Sequence, residues 1–185
     1  MHASSYDEMR RNLTRFLGSH AGEPLTLLDV GAQQVPDGFG HSYRELMPPA
    51  WQYTGADMAK GKNVDVVMPG PYTLPAAESS FDVVISGQCL EHCENPFRLT
   101  AEMVRVLKPG GLILLTAPWQ WREHKWPLDC WRILPDGMRA LMRTSGVEPI
   151  EAYMRDYDCW GIGQRPGNGS VAGDPAPIPV GASPL

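Results

Sequence analysis

The sequence predicts an α/β domain built on a doubly wound, mostly parallel sheet with helices on both faces. Three observations carry this expectation. Apolar runs of strand length recur along the chain, as strands buried on both faces require. Segments with apolar residues at helical spacing separate them. Polar residues gather where strands end, and in an open α/β sheet ligands sit at that end.

Residues 4–19 read as an amphipathic helix with Met9, Leu13, Phe16 and Leu17 on one side. Such a helix packs against the sheet or over the ligand mouth. Leu25–Val30 (LTLLDV) is the first strand, Gln52–Asp57 a shorter second and Asn63–Met68 a third, rich in β-branched residues. Phe81–Ser86 is the fourth. Pro96–Leu107 follows as a helix with Pro at its first position, where the missing N–H costs nothing, and with Leu99, Met103, Val106 and Leu107 as its buried stripe. Lys108-Pro109-Gly110-Gly111 stops that helix, and Leu112–Ala117 is the fifth strand. Pro135–Ser145 reads as a helix closed by Gly146, and Val147–Met154 as a sixth strand. Only Tyr157–Ile162 is left for a last strand, so the sheet is expected to end in a shortened edge, open or covered by a second copy of the chain as a homodimer. Residues 1–162 form the expected domain. The segment 163–185 is dense in Gly and Pro, buries too little to offset chain entropy, and reads as a disordered tail.

A length of 185 residues suits one domain, and 43% apolar with 20% charged residues is ordinary for a globular protein. A formal charge of −5 argues against nucleic acid or an anionic membrane surface as partner. No run approaches the ~18–20 apolar residues of a membrane span, and the first residues (MHASSYDEMRRNL) lack an apolar signal core. Cys89, Cys93, Cys130 and Cys159 form no CxxC pair, so they read as reduced thiols of a cytoplasmic protein and no metal is expected.

The first strand runs into Asp29-Val30-Gly31-Ala32-Gln33-Gln34. A Gly just past a buried strand lets a ligand approach the backbone, and a following helix would aim its N–H groups there. A Gly-x-Gly-x-x-Gly run is absent, because Gln33 and Gln34 occupy part of that loop and the next Gly is Gly38, which counts against NAD(P). Asp57, next to Met58 at the end of the second strand, is placed to accept two ribose hydroxyls; the alternative for it is a helix N-cap.

The stretch Phe81–Trp119 contains "FDVV", "LEH", "RVLKPGG" and "LTAP", in the order and at the spacing of class I S-adenosylmethionine (SAM) methyltransferases, which it resembles. The likeness extends over roughly residues 25–150, including TLPAAESSFD, and Pro36 matches a sub-group with a Pro shortly after the glycine loop. It implies a Rossmann-like fold and SAM as cofactor, with Ser86-Gly87-Gln88 meeting its methionine part. Where the family carries an acid for the adenine amino group, this chain has Gly70 or Pro71, and Tyr72 or Leu74 is left to wall the base. Asp29, Gly31, Ala32, Asp57, Met58, Tyr72, Ser86, Gly87 and Gln88 are thus the expected cofactor-binding residues.

Methyl transfer needs a nucleophile held in line with the methyl carbon and often a base to take its proton. His92 and His124 are the candidates, His92 with a structural or helix-capping role as its alternative. Around His124, Trp119, Trp121, Trp126 and Trp131 fall within thirteen residues among charged ones, as in a lined binding mouth for a small-molecule acceptor. The segment PLDCWRILPDG resembles a "YDYWRFTPDG" block of methyltransferases associated with saccharide or cell-surface glycan pathways, matching at Asp129, Trp131 and Arg132. Asp129 orients His124, binds a substrate hydroxyl or pairs with Arg132. The expected activity is methyl transfer to a hydroxyl of a sugar or natural product, with a catalytically inactive SAM-binding subunit as the alternative.

Overall fold

The structure, a computed structural model, describes residues 2–35 and 40–167. Seven strands form one sheet in the order β3-β2-β1-β4-β5-β7-β6. They are β1 (Thr26–Val30), β2 (Gln52–Asp57), β3 (Val66–Val67), β4 (Phe81–Gly87), β5 (Leu107–Pro118), β6 (Glu148–Arg155) and β7 (Asp158–Gln164). The first five are parallel, and β7 runs antiparallel to β5 and β6. Strand order reverses between β1 and β4, so the crevice at their carboxyl ends is the topological switch point.

One face of the sheet is covered by α1 (Ala3–Leu17), whose Met9, Leu13 and Leu17 pack with Leu27, Val83, Ile85, Leu114 and Trp160. On the other, α2 (Pro96–Val106) and α3 (Pro135–Thr144) bury Leu99, Met103, Met138 and Met142 against Leu28, Val84, Ile113 and Leu115. α1 is also tied to β6 by Asn12 and Glu8, which bond the Tyr153 hydroxyl, and by the Arg15–Glu151 ion pair. Its amino end carries His2 to the mouth of the crevice.

Several expectations change. The sheet does not end in a shortened edge: β6 and β7 form a full hairpin, β7 lies inside the sheet and β6 is the edge strand. Gly163 and Gln164, assigned to the tail by composition, complete β7, and the Arg165 N–H donates to the Gly111 carbonyl. The glycines there are packing devices: a Cβ on Gly161 would lie 2.5 Å from Met138, and one on Gly163 2.4 Å from Val147. The rest of the expected tail, and Pro36 and Gly38, lie outside the described residues. β3 is only two residues long, and Asn63, expected to open it, adopts φ +71°, outside the strand region. β5 starts at Leu107, five residues early; Leu107 pairs with Phe81, the register then shifts, and Gly110 takes φ +80°.

Candidate functional site

A cleft of about 640 Å³ opens at the carboxyl ends of β1, β2 and β4 beside the loop that follows β5, walled by residues 29–35, 57–59, 87–89 and 124–128 among others. Its floor is made by two loops in contact. Gly31 has φ +83°, and a Cβ there would fall 2.6 Å from the Cys89 Cβ. No α-helix follows β1 among the described residues. Instead the loop is held by hydrogen bonds: the N–H groups of Gly31 and Ala32 donate to the Ala56 carbonyl, and that of Gln34 to the Lys62 carbonyl. Asn63 closes the arrangement, its amide donating to the Ala32 carbonyl at 2.8 Å and to the Tyr53 hydroxyl at 2.9 Å.

Asp57 lies on one wall. One carboxylate oxygen accepts the Gln33 N–H at 3.0 Å and the other the Ala59 N–H at 3.3 Å. No helix begins there, so Asp57 is not a helix cap. The two bonds fix its carboxylate beside the cleft and leave lone pairs for a ligand. Asp29 is buried beneath, accepting the Tyr53 hydroxyl, and burial pushes its carboxyl up to about 7. Met58 is half exposed at the rim, and Pro71 and Tyr72 line the far end, while Leu74 is in the core. Ser86 is buried outside the cleft lining and donates to the Val30 carbonyl. Gly87 and Gln88 do line it. Gly87 leaves room for the Tyr43 hydroxyl, which a Cβ would meet at 2.5 Å, and Gln88 donates to Asp158.

The opposite wall carries the histidines. His92 lies in a 3₁₀ turn, Leu90–His92, and caps nothing: the side chain of Asn95 caps α2 by accepting the Arg98 N–H. Its ring meets that of His124 edge to face, with centroids 4.9 Å apart. Burial lowers the His92 pKa, which favours the neutral ring. Asp129 pairs with Arg132 and contacts His124 chiefly through the histidine's backbone. It accepts both Arg132 guanidinium nitrogens, at 2.6 and 2.8 Å, and it accepts the His124 N–H at 2.7 Å, lying 3.5 Å from the His124 Nδ1. Arg132 holds the Asp129 carboxyl well below the usual carboxylate range.

The four tryptophans separate. Trp126 lines the cleft and is 55% exposed. Trp121 stacks near His2 and Tyr157. Trp119 donates to the Asp156 carbonyl and Trp131 to that of Cys93, so both brace loops.

Sequence reasoning missed His2, Tyr43 and Asn63, which reach the cleft from distant segments, and Glu91. Glu91 stood in the "LEH" motif, yet nothing in the spacing signalled that it would be fully buried with neither carboxylate oxygen hydrogen-bonded.

No helix among the described residues is long and apolar enough to cross a membrane. Residues 28–115, from β1 to β5, match the family model described as a methyltransferase domain. An uncharacterised methyltransferase of Mycobacterium tuberculosis is 34% identical over 110 residues, covering 55% of this chain and 43% of the relative. The chain thus spans less than half the length of the curated relatives it matches. Among solved structures, the Burkholderia thailandensis 1,6-didemethyltoxoflavin-N1-methyltransferase, with 1,6-didemethyltoxoflavin and S-adenosylhomocysteine bound, superposes with TM-score 0.66. It is 15% identical, over 89% of this chain and 84% of that one. The cyclase SpnF matches at TM-score 0.64 and 17% identity, over 90% and 84% of the two chains. At such identity the likeness is one of fold, and the fold carries more than one chemistry. With its matched segment running through the strands that build the cleft, this chain carries a stretch similar to the methyltransferase domain.

Proposed function

We propose that this domain binds SAM in the cleft and transfers its methyl group to a small polar acceptor, a hydroxyl of a sugar or natural product. One observation carries the reading. A single cleft at the switch point holds a fixed carboxylate, Asp57, on one wall and the His92–His124 pair on the other. The residues fit an adenosyl ligand. Asp57 keeps acceptor capacity for ribose hydroxyls, Gly31 leaves the backbone uncovered, and Tyr72 with Pro71 offers an apolar wall for the base. When bound, SAM supplies a methyl group on a positively charged sulfonium.

The chain's own groups do the rest. His124 faces the cleft and takes the acceptor's proton, with Asp129 holding its backbone N–H and lying 3.5 Å from Nδ1. Trp126 presents an exposed indole face beside it, suited to the C–H surface of a sugar.

Calorimetric titration of the full chain with S-adenosylhomocysteine tests the cofactor, and labelled SAM offered with a panel of hydroxylated acceptors tests transfer. Saturable binding with label moving to an acceptor is expected. Binding without transfer to any acceptor would favour a non-catalytic subunit, and no binding would end the reading.

A further inference from the structure

Glu91, His92 and His124 each offer one ligand atom, and the three atoms lie within 4.8 Å of one another. We propose that they form a site for a divalent transition-metal cation, zinc or a neighbour of similar softness, on the acceptor side of the cleft. Two imidazoles and a carboxylate, with further positions left open, are the donor set of catalytic rather than structural metal centres.

The groups around the three residues point the same way. The His92 Nδ1 lies 2.6 Å from the Leu128 carbonyl, so Nδ1–H donates there and the Nε2 lone pair is left facing Glu91, 3.7 Å away. The His124 Nδ1 has the Arg122 carbonyl at 3.3 Å and the Asp129 carboxylate at 3.5 Å, which likewise leaves Nε2 as the ligand atom. Such outer partners fix the tautomer and aim of metal-binding histidines. Glu91 supplies the independent observation. Its side chain is fully buried, and neither carboxylate oxygen has a hydrogen-bond partner among the described residues. A buried carboxylate left so calls for an explanation, and a cation at this point provides one.

The geometry is close to formed. Ligand atoms around a tetrahedral zinc ion lie about 3.3 Å apart, given bonds of about 2.0–2.2 Å, so each needs to move by about 1 Å. The loop bearing His124 is pinned to the turn bearing Glu91 and His92, because the Cys130 N–H donates to the Glu91 carbonyl at 2.6 Å. His124 is 34% exposed and His92 14%, so the open positions face the cleft. The ion's role rests on the transferase reading: an acceptor hydroxyl bound to it would release its proton to solvent more readily, as metal-bound water does, and relieve His124 of acting as the base. The existence of the site does not depend on that role.

The full chain, stripped with a chelator, is titrated with Zn²⁺ by calorimetry and with Co²⁺ by visible absorption. One ion per chain is expected, with Co²⁺ bands of a low-symmetry site and no thiolate charge-transfer band. Glu91→Gln and His124→Ala should each weaken both ions by more than the ~10–100-fold typical of losing an outer partner, and Asp129→Asn by an amount within that range. Should Glu91→Gln fail to fold, His124→Ala, in a loop, decides alone. No saturable binding, a thiolate band from Cys93 or Cys130, or affinity unchanged in His124→Ala would overturn the proposal. S-adenosylhomocysteine titrated in parallel separates the two readings: if it binds and the metal does not, only the metal site falls.

Discussion

Gly31 and Cys89 touch across the topological switch point: a Cβ on Gly31 would lie 2.6 Å from the Cys89 Cβ and 2.7 Å from its sulfur. The loops after β1 and β4 therefore share one floor of the cleft. Gly31→Ala meets this obstacle while also adopting φ +83°, which costs a residue with a side chain about 1–2 kcal/mol. The variant should melt lower than the native chain and bind S-adenosylhomocysteine about 5–30-fold more weakly, on the same energy scale. Gly31→Ala with Cys89→Gly should recover part of the affinity, since the contact is relieved and the backbone strain is not. Unchanged affinity in Gly31→Ala would mean that the ligand does not lie over this floor.

Sequence reasoning reached Gly31 because a glycine just past a buried strand lets a ligand approach the backbone, although many α/β turns need one for steric reasons alone. It reached Asp57, despite the short strand before it, because an acid at that strand's end can accept both ribose hydroxyls. What it missed depends on long-range contacts. Tyr43 and Asn63 carry no local pattern, and their value to the site comes from meeting Gly87, Tyr53 and the Ala32 carbonyl. The tryptophan cluster was legible as a cluster, but periodicity cannot tell an indole that braces a loop through its N–H from one that faces a cleft. The edge of the sheet was misjudged for a related reason: glycine lowers strand propensity, whereas Gly161 and Gly163 are demanded by the methionines and valine packed on them.

Asp57 gives the next prediction. Its carboxylate accepts the N–H groups of Gln33 and Ala59, so removing it leaves two donors unpaired as well as deleting a ligand contact. Asp57→Asn keeps one acceptor oxygen and loses the charge. A hydrogen bond to a charged group is worth about 1.5–3 kcal/mol, so Asp57→Asn should weaken S-adenosylhomocysteine by about 10–100-fold, and Asp57→Ala by more, with a lower melting temperature. Calorimetry and thermal melts on the two variants check this. Native affinity in Asp57→Ala would remove the ribose assignment.

Stability should depend on pH through Asp29. Burial raises its carboxyl from 3.8 to about 7, only partly opposed by the Tyr53 hydroxyl that it accepts. Between those values the folded chain holds a proton that the unfolded chain has released. Asp29 therefore favours folding below about pH 4, and that contribution is lost as pH rises towards 7. Asp29→Asn cannot titrate and keeps an oxygen for Tyr53. Its stability relative to the native chain should rise by a few kcal/mol, in order of magnitude, from pH 4 to pH 7.5 in denaturant titrations. A difference that stays flat with pH would show the carboxyl ionised in the folded chain.

Trp126 and Trp131 separate binding from bracing. Trp126 is 55% exposed beside His124 on the cleft wall, whereas the Trp131 indole N–H donates to the Cys93 carbonyl at 2.7 Å. Trp126→Ala should leave the melting temperature and S-adenosylhomocysteine affinity near native and raise KM for whichever acceptor the panel yields. Losing a stacked indole face costs about 0.5–1.5 kcal/mol beyond area burial, so the rise should be at least a few-fold. Trp131→Phe keeps the ring and loses the hydrogen bond, so it should lower stability by about 1 kcal/mol with KM little changed. The reverse pattern, with Trp131 setting KM and Trp126 setting stability, would move the acceptor from the Trp126 wall to the far side of the loop.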